Sequence, residues 1–163
     1  VLHGWSIGGG LQLALACDLR LASRDAVLGL GATRHGLIPD GAVLRLARII
    51  GLGRAKELAL LNDDITPDEA RRIGLVNWVC PPGEVDTTLQ GIIAKARSAS
   101  PTASAQTKRL LHASFHEDPR AMIEELVRAQ DVCMTSWEMD EANQAWQERR
   151  EAVFHPPRRR PAP

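Results

Sequence analysis

Three consecutive glycines, Gly8, Gly9 and Gly10, stand between an apolar stretch, Val1 to Ile7, and the helix-forming run Leu11 to Cys17. Glycine reaches backbone conformations closed to other residues, so such a cluster marks a tight junction where a strand delivers the chain into a helix. The first amides of a helix starting here have no partner within it, and the positive end of the helix dipole adds to their pull on negative charge. The junction therefore offers an oxyanion or phosphate site. A phosphate loop is excluded, because no Gly-Lys-Ser/Thr follows, and the dinucleotide spacing GxGxxG is absent. A ligand-free strand–helix junction satisfies the same spacing.

Around this junction the sequence reads as α/β with a helical C-terminal region. Strands are expected at residues 1–6, 19–22, 27–30 and 76–79. Helices are expected at 10–17, 42–50, 54–61 and from Thr66 to about Gly74. In Thr66-Pro67-Asp68-Glu69, Thr66 is placed to cap, Pro67 fits the first helical position, and Glu69 closes a capping box. Ser100-Pro101 and Asp118-Pro119 repeat the pairing of a capping side chain with proline. Beyond them Leu110, Leu111, Ile123, Leu126, Val127 and Met134 recur at helical spacing, and Trp137, Trp146 and Phe154 add a further apolar stripe. The expected organisation is a core over residues 1–80, a helical region over 81–154, and a solvated, disordered Pro/Arg tail over 155–163.

Charge and cysteine usage remove several classes of function. Among 163 residues, 20 Lys and Arg balance 20 Asp and Glu. Nucleic acid and anionic membranes both call for a positive excess, so neither is an expected partner. No apolar run approaches the ~20 residues of a bilayer span. Cys17, Cys80 and Cys133 are scattered and odd in number, which argues against a disulfide framework or a metal site and for a cytoplasmic protein with small buried thiols. His112 and His116 stand at i, i+4 on one expected helix, without a third metal ligand. The chain opens on Val1 with neither Met nor a basic leader, which suggests part of a longer protein.

Two families lay claim to the glycine cluster. Gly4-Trp5-Ser6-Ile7-Gly8 matches G-x-S-x-G, the nucleophile elbow of α/β-hydrolases, with Ser6 as nucleophile. That reading also needs a carboxylate and a histidine; His112, His116 and His155 are available, but none sits in a recognisable loop after a strand. The second claim covers far more of the chain. Gly4-x-x-x-Gly8-Gly9-Gly10-x-x-Leu13-Ala14-Leu15-Ala16-Cys17-Asp18-Leu19-Arg20 resembles the signature of the enoyl-CoA hydratase/isomerase (crotonase) superfamily. The likeness continues in order through Gly36-Leu37-Ile38-Pro39-Asp40-Gly41, Leu46 to Gly51, Arg54-Ala55-x-Glu57-Leu58, Ile65-Thr66-Pro67-x-Glu69-Ala70 and Gly74-Leu75-Val76-Asn77. Several ordered blocks outweigh one five-residue motif.

The resemblance implies a partial spiral core of β-β-α turns, the C-terminal portion of a crotonase, with C-terminal helices that build a homotrimer or hexamer. It implies an acyl-CoA thioester as ligand, no separate cofactor, coenzyme A entering with the substrate, and no metal. By motif position the amide of Gly9 is one of two donors to the thioester oxygen, the second lying upstream, with Gly8 and Gly10 lining the same junction. The chain departs from the hydratase pattern at both catalytic glutamates, which fall at Gln12 and Ala32. Neither residue can exchange a proton near neutral pH, so hydration is disfavoured. Gln12 retains the means to hold a water or thioester.

Asp40, in Ile38-Pro39-Asp40, matches an aspartate that in some isomerases of the family shuttles a proton between acyl carbons, and in aroyl-CoA dehalogenases attacks the ring. Its alternative is to cap the helix expected from Ala42. His35 is a possible second proton carrier or a solvent-facing loop residue. Trp146 and Arg149, expected on one helical face, are similar in position to an aromatic residue and a lysine that reach the coenzyme A of a neighbouring subunit. Double-bond isomerisation with Asp40 is the leading expectation, with a non-catalytic acyl-CoA-binding or assembly subunit as the alternative.

Overall fold

A computed structural model describes residues 1–155. It divides into two compact units, Val1–Gln90 and Gly91–Pro163. In the first unit, β1 (Trp5–Ile7), β2 (Leu21–Ser23), β3 (Val27–Gly29) and β4 (Trp78–Cys80) form two parallel pairs. β1 pairs with β3 in the register Trp5–Val27, Ser6–Leu28, Ile7–Gly29, and β2 pairs with β4 in the register Leu21–Trp78, Ala22–Val79, Ser23–Cys80.

The strand expected over residues 1–6 serves both pairs instead of running straight. Leu2 bridges Ala22 beside β2, then Gly4 turns through φ +56° and the chain continues as β1 against β3. A side chain at Gly4 would be strained in that conformation. The remaining strands fall within two residues of expectation because their apolar runs are short and continuous. Leu28, Leu75 and Val76 are almost wholly buried, and burying a large aliphatic side chain contributes about 1.5–3 kcal/mol each.

Helices α1 (Gly9–Leu15), α2 (Asp40–Val43), α3 (Leu46–Ile50), α4 (Leu52–Leu61) and α5 (Pro67–Arg72) cover this core. The single helix expected over 42–50 is two short ones, α2 and α3, separated at Leu44-Arg45, where the Arg45 amide bonds Ala42 in a tightened turn. Both Ala42 and Leu46 are buried across the break. At α5, Thr66 Oγ1 accepts from the Glu69 amide at 3.2 Å as expected. The Glu69 carboxylate does not close the box; it turns to Arg72 at 2.6 Å. A bidentate guanidinium is the stronger partner for a carboxylate.

Buried Arg20 ties the segment after α1 to the approach to β4. Its Nε donates to the Leu75 carbonyl at 2.6 Å and its Nη1 to the Cys17 carbonyl at 2.7 Å. Burial pushes its pKa down, with Cys17 and Asp18 opposing. Cys17 itself is exposed, contrary to expectation, because α1 ends before it; Cys80 is buried and Cys133 half-buried.

Helix α6 (Val85–Arg97) carries the chain across the boundary, and α7 (Pro101–Ala113), α8 (Pro119–Met134) and α9 (Trp137–Glu148) build the second unit. Ser100 and Asp118 cap α7 and α8 as their sequences foretell. Glu138, on α9, is buried and reaches the start of α7, accepting from the Ser100 hydroxyl, the Thr102 amide at 3.0 Å and the Thr102 hydroxyl at 3.1 Å. Burial alone would raise its carboxyl, but these donors outweigh burial and hold it below the usual range. His112 and His116 do not share a helix: α7 stops at Ala113 and His116 lies in the following turn. The tail expected to be disordered, 155–163, lies outside the described residues apart from His155.

No helix among the described residues is long and apolar enough to cross a membrane. Among them, no group of three His, Cys, Asp or Glu side chains converges to hold a metal ion.

Candidate active site

Gly8 adopts φ +51° and ψ −121°, a conformation available to glycine alone, and its amide donates to the Gly29 carbonyl at 2.9 Å. This bond pins the turn to the end of β3, and α1 starts at the next residue. As the first two residues of α1, Gly9 and Gly10 have amides without partners inside the helix. Both residues are exposed, and a Cβ on either would meet nothing within 4 Å. A ligand atom can therefore approach these amides closely.

One turn further along, half-buried Gln12 meets α2. Its Oε1 accepts from the Gly41 amide at 2.7 Å, and Asp40 Oδ1 accepts from the same amide at 2.8 Å. Two side chains that are 28 residues apart in the sequence thus share one donor. Gly41 is the residue that makes this possible. A Cβ there would stand 2.8 Å from Gln12 Oε1 and 3.3 Å from Gln12 Cβ, so any larger residue would displace the carboxamide. Sequence pattern alone gives Gly41 no role. Its only signal was the place of glycine directly after Asp40.

Asp40 is exposed and is itself the first residue of α2, so it does not cap a helix starting at Ala42. Ala32 opens a one-turn 3₁₀ helix, Ala32–His35, and is half-buried; His35 is exposed. That turn is fastened by Thr33, whose hydroxyl meets the Asn62 side chain at the end of α4 and the Ala59 carbonyl at 3.1 Å. Neither Ala32 nor His35 places a carboxylate at the junction.

Ser6 does not form a nucleophile elbow. It lies in the middle of β1, buried, with its hydroxyl 3.4 Å from the His3 carbonyl, and the sharp turn comes at Gly8 instead. An elbow requires the serine on the turn itself.

Trp146 and Arg149 lie in the second unit. Trp146 is 85% exposed on the last turn of α9. Arg149 does not share a helical face with it. Arg149 has left the helix at φ +53°, ψ +42°, and the amides of Arg149 and Arg150 close back on the Trp146 and Ala145 carbonyls at 3.2 and 3.0 Å. This is a Schellman cap with arginine where glycine is usual. Arg149→Gly should stabilise the protein by about 1 kcal/mol by removing the left-handed strain, read as a higher melting temperature.

Among the described residues Arg150, rather than Arg149, makes the ion pairs. Its Nη1 lies 2.6 Å from Glu141, which also accepts from the Val153 amide at 2.7 Å. The Arg150 hydrogen bonds, with that of Val153, lower the Glu141 carboxyl from 4.5 to about 2. Because the folded value is depressed, the contribution is full above 4.5 and is lost as pH falls toward 2. The Val153 amide should therefore lose protection from hydrogen exchange over that window, and constant protection would contradict the assignment.

The chain is similar to known proteins over nearly its whole length. A family model described as enoyl-CoA hydratase/isomerase matches residues 1–157. The short-chain-enoyl-CoA hydratase of Clostridium acetobutylicum is 33% identical over 150 residues, covering 91% of this chain and 58% of that protein. A mitochondrial Delta(3,5)-Delta(2,4)-dienoyl-CoA isomerase of Dictyostelium discoideum is 34% identical over 161 residues, covering 94% of this chain and 53% of that protein. The crystal structure of enoyl-CoA hydratase from Bacillus anthracis superimposes with a TM-score of 0.88 at 33% identity, covering 93% of this chain and 59% of that one. The chain thus spans between half and three fifths of the length of these relatives.

Proposed function

The chain belongs to the enoyl-CoA hydratase/isomerase family, and from that premise we propose that its protein moves a double bond within an acyl-CoA thioester rather than adding water across it. The observation that carries the proposal is the meeting of Gln12 and Asp40 at the Gly41 amide. At the two positions where hydratases of the family carry glutamates, this chain has a carboxamide and a methyl group, whereas Asp40 supplies one carboxylate beside Gln12. One carboxylate suffices to carry a single proton between two carbons; activating water and protonating carbon calls for more.

In the proposed reaction the thioester oxygen accepts from the Gly9 amide and from a donor outside this chain. The Asp40 carboxylate takes a proton from the carbon next to the thioester. The electron pair left behind moves onto the thioester oxygen as an enolate, conjugated with the existing double bond. Asp40, whose carried proton exchanges with solvent, then returns a proton at the far end of that system, and the double bond has shifted with no group added or lost. Preorganised amides facing the developing charge are the main source of acceleration, about 3–4 kcal/mol for one donor. Gly8 and Gly10 keep the approach to Gly9 open.

Coenzyme A enters with the substrate, and no separate cofactor or metal has a part. Trp146 and Arg149 are proposed to reach the coenzyme A of a neighbouring subunit, the indole against the adenine and the guanidinium against a phosphate. Exposed Ile123, Leu126 and Val127 on α8 support self-association of the helical unit as a trimer or hexamer. The reading is tested by following 3-enoyl-CoA and 2-enoyl-CoA in parallel, expecting interconversion of the two without hydration. A protein that binds both thioesters and transforms neither would instead be the non-catalytic subunit of the alternative reading, which the loss of both glutamates favours.

A further inference from the structure

We infer that Gln12 is a specificity residue that donates a hydrogen bond to an oxygen on the acyl chain, so that the site favours thioesters carrying an acceptor oxygen beyond the thioester group. The inference rests on the acyl-CoA reading given above.

A carboxamide has an accepting end and a donating end. The Gly41 N–H can be met only by the oxygen, so the 2.7 Å contact fixes which way Gln12 faces. The absence of a Cβ at Gly41 is what admits Oε1 so closely. Nε2, with two hydrogens, is therefore the free end, and among the described residues no acceptor takes either of them. Gln12 is half-buried, and an amide donor partly withdrawn from water gains from a partner supplied by a ligand.

Its position relative to Gly9 says where that partner lies. Gln12 follows Gly9 by three residues on α1, which places the two on one face, about 4.5 Å apart along the axis. A thioester whose oxygen rests on the Gly9 amide carries its first acyl carbons past the Gln12 carboxamide. A glutamate at this position would accept from Gly41 equally well but would have nothing to donate. The exchange of carboxylate for carboxamide thus turns an acceptor of protons into a donor of a hydrogen bond. The recognised group is an oxygen attached near the carbon where the enolate forms, a ketone being the simplest case.

The test compares 3-oxobutyryl-CoA with butyryl-CoA, which differ by that oxygen, in direct binding to the protein expressed from its complete gene. The wild type should prefer the oxo compound by about three- to tenfold, the yield of one neutral hydrogen bond. Gln12→Glu, which retains the acceptor for Gly41 and so the local fold, should lose or reverse that preference, and Gln12→Leu should bind the two equally. Asp40→Asn should keep it. An unchanged preference in both Gln12 variants overturns the inference, as does equal binding by the wild type, while leaving the acyl-CoA reading intact. Failure of the wild type to bind either thioester overturns both.

Discussion

Replacing Asp40 with asparagine is expected to lower isomerase turnover by about a hundred- to ten-thousandfold, the range lost with a general acid–base group. The fold should be unaffected. Asp40 is exposed, and among the described residues its carboxylate accepts only from the Gly41 amide, a contact the amide oxygen of asparagine reproduces. Substrate binding should change little, because the variant removes a proton carrier and leaves the oxyanion donor in place, so kcat falls with KM nearly constant. Turnover within a few-fold of wild type would show that the proton travels by another route. A collapse of binding instead of turnover would make Asp40 a ligand-positioning group.

The second large effect is at Gly9. Proline there deletes one N–H and little else, because Gly9 is the first residue of α1, where proline suits the helix and where the amide has no helical partner. A Cβ at Gly9 meets nothing within 4 Å, so there is room for a side chain. Gly9→Pro should therefore melt close to wild type and yet lose about a hundred- to thousandfold in kcat, the cost of one oxyanion donor. Gly9→Ala, which keeps the amide, should stay near full activity. If alanine were as damaging as proline, shape at the junction rather than the amide would be responsible.

What could be read in the sequence was local. Thr66, Ser100 and Asp118 announce helix starts because a cap involves residues two or three positions apart. The glycine cluster announces a strand–helix junction because only glycine holds φ +51° with ψ −121°. The pairing of β2 with β4, whose partners lie 57 residues apart, has no such local mark. Nor does the meeting of Gln12 with Gly41, which depends on α2 packing against α1. The resemblance to a known family drew attention to Gln12 and Asp40 separately, and the structure shows that they share an amide. Where the reading failed, a backbone feature overrode a sound pattern. Trp146 and Arg149 have helical spacing, but the helix ends between them in a left-handed cap. His112 and His116 have it too, and α7 stops at Ala113.

The most direct test of isomerisation without hydration is the mass of the product formed from 3-hexenoyl-CoA in heavy water. Proton shuttling moves the double bond and exchanges only carbon-bound hydrogen, so the product should be 2-hexenoyl-CoA, heavier than substrate by exchanged deuterium and by nothing else. A product heavier by a whole molecule of heavy water would mean that the protein hydrates despite Gln12 and Ala32, and would contradict the account. Recovery of the starting thioester, bound but unchanged in mass and bond position, would contradict it equally and leave a protein that holds acyl-CoA without transforming it.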